Sequence, residues 1–229
     1  RINGTHQAVS VCVFGAAVSR VEGSGSMIGY YNYTVILTYG GLISAVVGIL
    51  LAAQSQSLAA VCCLLFSGLC DMFDGTIANM RERTRAERRF GVQIDSLCDL
   101  VGFGILPVMI GWASGMEQWT YYLVSAVYVL CGVIRLAYYN VTEEERQDAT
   151  DGKRESYLGL PISGAALILA AVYCIIQATA CSPVLYAVFL LVTGVAFVLP
   201  FTMPKPGYKT MAIFLLLGLG MLTYLLFLA

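Results

Sequence analysis

Seven long apolar stretches limit how this chain can fold more than any other feature of its sequence. They cover residues 34–53, 57–79, 91–112, 119–141, 159–180, 183–200 and 209–228. Each is close to the ~20 residues that an α-helix needs to cross the hydrocarbon core of a bilayer. Unpaired backbone groups are costly in lipid, so segments of this kind are expected to be helical. The sequence therefore predicts an all-α, polytopic transmembrane helix bundle of about seven spans, with six to eight possible.

The composition supports a membrane protein and argues against other classes. Of the 229 residues, 59% are hydrophobic and 12% are charged, whereas soluble domains carry about 25% charged residues. A net charge of −1 argues against a nucleic-acid partner, because such proteins present a basic surface. Most of the eight cysteines lie inside apolar stretches, and none forms a zinc-type cluster with the single histidine, His6. We interpret the cysteines as small apolar side chains.

The N-terminal residues differ from the apolar chain that follows. Residues 1–26 end in a Gly-Ser-Gly-Ser run directly before Met27, and runs of this composition form flexible linkers. We expect Met27 to be the native start and residues 1–26 to be an added or flexible extension. Residues 27–34 mix tyrosines with polar groups, which suits a short segment at the headgroup level. Residues 27–229 are then predicted to form a single transmembrane domain that carries the site.

Basic residues are concentrated in alternate loops between the apolar stretches. These residues are Arg81, Arg83, Arg85, Arg88, Arg89, Arg146, Lys153, Arg154, Lys205 and Lys209. The intervening junctions, near residues 54–56, 114–117 and 181–183, contain no lysine or arginine. Loops rich in lysine and arginine stay on the cytoplasmic side of a membrane. The sequence therefore predicts a cytoplasmic N-terminus and an external C-terminus.

Four aspartates lie at the predicted cytoplasmic ends of two consecutive apolar stretches. Asp71 and Asp74 are three positions apart. Asp95 and Asp99 are four positions apart, so each pair shares one face of its helix. A charged side chain at the centre of a membrane helix costs roughly 2.5–3.5 kcal/mol. Converging carboxylates therefore favour a cation, and their hard oxygen atoms suit Mg²⁺, Mn²⁺ or Ca²⁺.

The residue pattern alone is also compatible with two roles that involve no catalysis. The carboxylates could form a hydrogen-bond network between helices, or they could line an ion path in a transporter. A transporter is expected to be built from repeats, with broken helices in both halves. In this chain the carboxylates of the apolar stretches lie in one half only, which favours an enzyme site.

The spacing of the aspartates carries a family resemblance. Asp-x2-Asp-Gly-x2-Ala, followed by Gly-x3-Asp-x3-Asp, runs from Asp71 to Asp99 and resembles the motif of the CDP-alcohol phosphotransferase family. The resemblance implies an integral membrane enzyme, commonly dimeric, that transfers a phosphoalcohol or phosphatidyl group from a CDP-linked donor. It also implies two bound Mg²⁺ or Mn²⁺ ions. Their expected ligands are Asp71, Asp74, Asp95 and Asp99, and Asp99 is also the expected general base.

The same resemblance implies which residues contact the nucleotide of the donor. Gly75, Ala78 and Gly91 match small positions of the motif and are expected to pack against the cytidine and ribose. Gly75 and Gly91 have no side chain and would let a bulky ligand approach the backbone. At position 79 the family usually has arginine, whereas this chain has asparagine. Asn79 is expected to lie beside the small residues of the nucleotide site.

A second motif narrows the resemblance to one branch of the family. Arg135 and Asn140, followed by the run Tyr157-Leu158-Gly159-Leu160-Pro161, resemble the phosphatidylserine synthase branch. The resemblance implies transfer of the phosphatidyl group of CDP-diacylglycerol to the hydroxyl of L-serine, with release of CMP. Arg135 and Asn140 are expected to bind the acceptor or a phosphate. We expect a homodimer among membrane lipids, in the cell membrane, with its site toward the cytoplasm.

Two alternative acceptor alcohols fit the same chemistry. Inositol or glycerol phosphate could replace serine without a change in the reaction type. A phosphorylated acceptor would want several basic residues near the site, whereas Arg135 has no basic neighbour in the sequence. This difference favours serine.

Overall fold

The chain folds as a bundle of apolar helices. The computed structural model describes residues 35–78, 84–149, 156–179, 182–204 and 207–228. In chain order the helices are α1 (Ile36–Ala53), α2 (Ser57–Ala78), α3 (Arg85–Asp99), α4 (Leu106–Ala113), α5 (Trp119–Ala149), α6 (Gly164–Thr179), α7 (Val184–Val198) and α8 (Tyr208–Leu228). A π-helical segment, Leu100–Ile105, joins α3 to α4. The predictions for residues 1–26 and 27–34 lie outside the described residues.

The helices confirm the predicted class, an all-α polytopic membrane bundle. Within the described residues, five helical segments are long and apolar enough to cross a membrane. They are Ile36–Ala53, Ser57–Asp74, Arg85–Ala113, Trp119–Gln147 and Lys209–Phe227. The apolar helices α6 and α7 have only 16 and 15 residues, which makes them about 22–24 Å long. Each of the seven predicted stretches therefore corresponds to helix in the structure.

Small side chains hold α1 close to α2. The buried residues of α1 recur at alternating spacings of three and four: Thr38, Gly41, Ala45, Gly48 and Ala52. Small residues let two membrane helices approach closely. A Cβ atom on Gly48 would lie 2.8 Å from Cys63 Cβ, and one on Gly41 would lie 3.3 Å from Cys70 Cβ. This contact fixes α1 beside the end of α2 that carries its two aspartates.

Two buried tyrosines stabilise the junction between α3 and α4. Pro107 has no N–H, so it cannot bond the carbonyl of Phe103 four residues earlier. The hydroxyl of Tyr128, from α5, donates to this Phe103 oxygen at 2.6 Å. The hydroxyl of Tyr186, from α7, donates to the carbonyl of Pro107 at 3.1 Å. Because an unpaired carbonyl in a bilayer is costly, α5 and α7 hold the junction in place.

Helix α3 starts earlier than the predicted stretch 91–112. The helix begins at Arg85 because Thr84 and Glu87 form a capping box. The Glu87 N–H donates to Thr84 Oγ1 at 3.2 Å, and the Thr84 N–H donates to Glu87 Oε2 at 2.8 Å. These reciprocal bonds satisfy two of the donors that a helix N-terminus leaves unpaired. The helix therefore starts in the basic segment, before the apolar residues begin.

Helix α5 likewise extends beyond the predicted stretch 119–141. The helix continues to Ala149, and several polar side chains of this extension are paired. The buried carboxylate of Glu143 accepts from Arg146 Nε at 3.0 Å, and Arg89 of α3 forms an ion pair with Glu144 at 3.1 Å. The polar extensions of α3 and α5 therefore contact each other beyond the apolar part of the bundle.

The start of α6 is a third correction, because the predicted stretch begins too early at residue 159. A short antiparallel ladder comes first, in which β1 (Ser156–Leu158) pairs with β2 (Thr202–Pro204). The helix begins only at Gly164. The residues between ladder and helix form what we call the 159–163 turn (Gly159–Ser163). Pro161 falls inside the predicted stretch 159–180, but it lies in the 159–163 turn before the helix.

Gly159 gives the 159–163 turn its shape. Its φ of +72° lies in the left-handed region that favours glycine. A Cβ atom at this position would lie 2.9 Å from the carbonyl oxygen of Phe197. The Gly159 N–H donates to Phe201 O at 2.6 Å, and the Leu160 N–H donates to Ala196 O at 3.2 Å. These bonds fix the turn to the C-terminal end of α7.

Candidate functional site

The four aspartates come together where α2 and α3 approach each other. Asp71 and Asp74 lie in the second half of α2. Asp95 and Asp99 lie at the end of α3, directly before the π-helical segment. Carboxylate oxygens of Asp71, Asp95 and Asp99 lie within 4.8 Å of one another. Asp74 lies beside this trio, within hydrogen-bonding range of Asp95.

The short distances between these carboxylates favour a bound positive charge. Asp71 and Asp99 lie within hydrogen-bonding range of each other, yet two ionised carboxylates offer only acceptors. Like charges this close repel strongly away from bulk water. Hard oxygen ligands at such spacing suit a divalent cation such as Mg²⁺ or Mn²⁺. The trio of Asp71, Asp95 and Asp99 therefore fits the requirements of a metal ion and could hold one.

Two hydroxyl groups that sequence analysis missed contact the aspartates of α2. The Thr38 hydroxyl, from α1, donates to Asp74 Oδ2 at 3.1 Å. The Ser163 hydroxyl, at the end of the 159–163 turn, lies within hydrogen-bonding range of Asp71. Thr38 could have been found, because it is the polar member of the small-residue face of α1. No sequence pattern connects Ser163 with Asp71.

Three of the four predicted nucleotide-binding residues lie on the same two helices. Gly75 and Ala78 are in the last residues of α2. Gly91 is partly buried and lies one helical turn before Asp95 in α3. Asn79 lies outside the described residues. Contact of these four residues with a nucleotide stays a prediction.

Arg135 is buried beside the 159–163 turn. Its side chain is 7% exposed, and its Nε donates to the carbonyl of Leu160 at 3.1 Å. The guanidinium carbon lies 5.8 Å from the centre of the Tyr139 ring, within the range of a cation–π contact. Since Ser163 of the same turn contacts Asp71, the turn connects Arg135 to the carboxylates. Acceptor binding by Arg135 stays a prediction.

Asn140 joins α5 to α3. Its Oδ1 accepts from Ser96 Oγ at 2.6 Å, and its Nδ2 donates to Gln93 Oε1 at 3.3 Å. Ser96 directly follows Asp95, so these bonds fix the part of α3 that carries a site aspartate. The structure thus gives Asn140 a supporting contact, and its binding of an acceptor or phosphate stays a prediction.

Comparisons with known proteins agree on one family. The family model for CDP-alcohol phosphatidyltransferase matches residues 31–202. A CDP-diacylglycerol–serine O-phosphatidyltransferase from Saccharomyces cerevisiae is 38% identical over 111 residues, which are 47% of this chain and 39% of that protein. A protein of the same name from Mycobacterium bovis is 28% identical over 132 residues, 57% of this chain and 45% of that protein. An archaetidylserine synthase from Methanothermobacter thermautotrophicus is 30% identical over 131 residues, 57% of this chain and 52% of that protein.

The chain spans about half the length, or less, of these three relatives. The segment that the family model matches contains every residue of the site described above. It includes the four aspartates, Arg135 and Asn140, and also the two hydroxyl residues, Thr38 and Ser163.

Proposed function

The chain belongs to the CDP-alcohol phosphatidyltransferase family, and on this premise we propose that it transfers the phosphatidyl group of CDP-diacylglycerol to L-serine. The serine hydroxyl oxygen forms a bond to the phosphorus that carries the diacylglycerol. The bond from that phosphorus to the CMP oxygen breaks, and CMP leaves with the electron pair. The hydroxyl proton passes to a carboxylate of the site. The products are phosphatidylserine and CMP.

The observation that carries this proposal is the meeting of three carboxylates from two apolar helices. Asp71, Asp95 and Asp99 lie within 4.8 Å of one another, in segments apolar enough to cross a membrane. A lipid-linked donor suits this position, because its acyl chains can stay in the bilayer while its nucleotide reaches the helix ends. The names of the relatives from Saccharomyces cerevisiae and Mycobacterium bovis support serine as the acceptor.

We assign distinct roles to the four aspartates. Asp71, Asp74 and Asp95 are the proposed ligands of two Mg²⁺ or Mn²⁺ ions. Bound by these residues, such ions would supply positive charge to the pyrophosphate of the donor and to the reacting phosphorus. Asp99 lies within 4.8 Å of Asp71 and Asp95, and we propose it both as a further ligand and as the general base that takes the serine hydroxyl proton. The donor nucleotide is assigned to the residues predicted from the sequence, Gly75, Ala78, Asn79 and Gly91.

The proposed enzyme works in the cell membrane, among membrane lipids, with its site toward the cytoplasm. Arg85, Arg88 and Arg89 begin α3, the helix that carries two of the aspartates, and Arg146 lies near the end of α5. Such clusters of arginine favour the cytoplasmic side, which supports the orientation. The family resemblance supports a homodimer as the assembly.

Release of CMP from CDP-diacylglycerol tests the acceptor. The purified protein in lipid nanodiscs with Mg²⁺ receives L-serine, inositol or glycerol phosphate at equal concentration, and a sample without alcohol measures hydrolysis. We expect serine to give the highest rate of CMP release. Preference for inositol or glycerol phosphate would overturn the acceptor but keep phosphatidyl transfer. If no alcohol released CMP above the hydrolysis control, phosphatidyl transfer itself would be wrong.

Replacement of Arg135 by alanine is expected to weaken the binding of serine more than that of the donor. A guanidinium can bind a carboxylate through two parallel hydrogen bonds. Charge-assisted hydrogen bonds contribute roughly 1.5–3 kcal/mol, so the KM for serine should rise about ten- to a hundredfold. Steady-state kinetics with each substrate varied in turn measures both KM values.

Arg135 also supports the 159–163 turn, so the test needs a matched control. Arg146→Ala removes a guanidinium from the same helix, where its partner is Glu143. This variant should leave the KM for serine and the KM for the donor near their wild-type values. An unchanged KM for serine in Arg135→Ala would mean that Arg135 stabilises the 159–163 turn and does not bind serine.

A further inference from the structure

We propose that Thr38 and Ser163 are positioning residues, each of which fixes one metal-binding carboxylate of α2. The Thr38 hydroxyl donates to Asp74 Oδ2 at 3.1 Å, and the Ser163 side chain lies within hydrogen-bonding range of Asp71. The inference rests on the proposed function, because it takes both aspartates as metal ligands. It goes beyond that function by naming the groups that hold those ligands.

The packing of α1 brings Thr38 to Asp74. Thr38 is the first buried residue of the small face of α1, one turn before Gly41. Gly41 lies so close to α2 that a Cβ atom there would be 3.3 Å from Cys70 Cβ. A side chain as short as that of threonine can therefore reach α2. Thr38 is 9% exposed, so its bond to Asp74 forms with little competition from water.

Hydrogen bonds fix the backbone both before and after Ser163 in the sequence. Before it, the 159–163 turn is fixed by the bond from Gly159 to Phe201 and by the bond from Arg135 to the Leu160 carbonyl. After it, the N–H of Ala166 donates to Ser163 O at 3.0 Å, in the first turn of α6. The backbone that carries the Ser163 hydroxyl beside Asp71 is therefore fixed by hydrogen bonds on both sides.

A hydrogen bond from a hydroxyl restricts the rotation of a carboxylate side chain, and the carboxylate can still bind a cation. A carboxylate has two oxygen atoms and about four acceptor positions. One bond from a hydroxyl fixes the rotation of the side chain, while further acceptor positions stay available for an ion. Loss of a group that orients a metal ligand typically lowers metal affinity about 10- to 100-fold.

Binding of Mn²⁺ to the full chain in nanodiscs, followed by electron paramagnetic resonance, tests the inference apart from turnover. Thr38→Val and Ser163→Ala each remove one hydroxyl, and Thr38→Ser keeps it. We expect Thr38→Val and Ser163→Ala to raise the Kd for Mn²⁺ about 10- to 100-fold and Thr38→Ser to stay near wild type. The matched controls, Thr193→Val and Ser114→Ala, change a buried threonine of α7 and a serine at the end of α4.

Each outcome of this test supports or overturns the inference. In turnover assays, Thr38→Val and Ser163→Ala should need more Mg²⁺ for half-maximal rate, with kcat largely recovered at saturating Mg²⁺. Wild-type Mn²⁺ affinity in either variant would overturn the positioning role of that residue while leaving the proposed function intact. Equal weakening in the two control variants would also overturn it, because the effect would then reflect general loss of packing. Absence of Mn²⁺ binding in the wild type would overturn the metal site of the proposed function, and this inference with it.

Discussion

Chelation of divalent cations is expected to abolish CMP release, and added Mg²⁺ or Mn²⁺ is expected to restore it. Asp71, Asp95 and Asp99 lie within 4.8 Å of one another, so without cations their charges repel each other and the phosphates of the donor. Phosphoryl transfer depends mainly on positioning and on neutralised charge, and the chelated protein would lack both. The measurement is CMP release in excess EDTA, followed by titration with each cation.

The variant Asp71→Ala provides an independent check on the metal site. It should be inactive at every cation concentration, because it lacks a ligand. It should also be more heat-stable than the wild type in EDTA, since it has lost one of the repelling charges. Added Mg²⁺ should raise its melting temperature less than that of the wild type. Glu117→Ala, at an exposed position outside the site, should retain both activity and the cation-dependent rise. Full wild-type activity in excess EDTA would refute the metal assignment.

The variant Asp99→Asn is expected to bind donor and metal while kcat falls by roughly 10²–10⁴. Asp99 is the last residue of α3, and we assign it to the acceptor hydroxyl rather than to the nucleotide. Asparagine keeps the shape of the side chain and still offers an oxygen to a metal, but it cannot take a proton. Asp71→Asn is the contrasting variant, and it should lose metal and donor binding together.

The two variants are compared by binding and by turnover on the same preparations. Binding of CDP-diacylglycerol is measured at saturating Mg²⁺, and kcat is measured at saturating serine and donor. Donor binding should persist in Asp99→Asn and fall in Asp71→Asn. If Asp99→Asn lost donor binding as severely as Asp71→Asn, Asp99 would be a metal ligand with no role as a base.

The helices and the acidic part of the site could be predicted because their signals are local. Each apolar stretch is long enough to identify a helix without any tertiary information. The spacing of Asp71 with Asp74, and of Asp95 with Asp99, places each pair on one helical face. The early start of α3 could also have been predicted from the sequence, since Thr84 followed by Glu87 is a capping-box pattern. The apolar residues alone do not reveal it, because the first turns of α3 are polar.

The other features of the fold and the site depend on contacts between distant parts of the chain. Ser163 and Asp71 are brought together only by the folding of the 159–163 turn, and Thr38 meets Asp74 only through the packing of α1 on α2. The late start of α6 follows from the positive φ of Gly159. A glycine and a proline near a predicted helix start do not specify this geometry, because the ladder that fixes it pairs strands far apart in sequence.

The π-helical segment after Asp99 sets the angle between the site and the core of the bundle. In a uniform α-helix Asp99, Leu106 and Ile110 would share one face. The wider π turn of Leu100–Ile105 takes up an extra residue. In ideal helix geometry one residue corresponds to a rotation of about 100°, so the aspartates no longer share the face that buries Leu106 and Ile110. The direction of the carboxylates thus depends on the number of residues between Leu100 and Ile105, in addition to their identity. Loss of one residue there would preserve every side chain of the site and yet turn Asp95 and Asp99 away from α2.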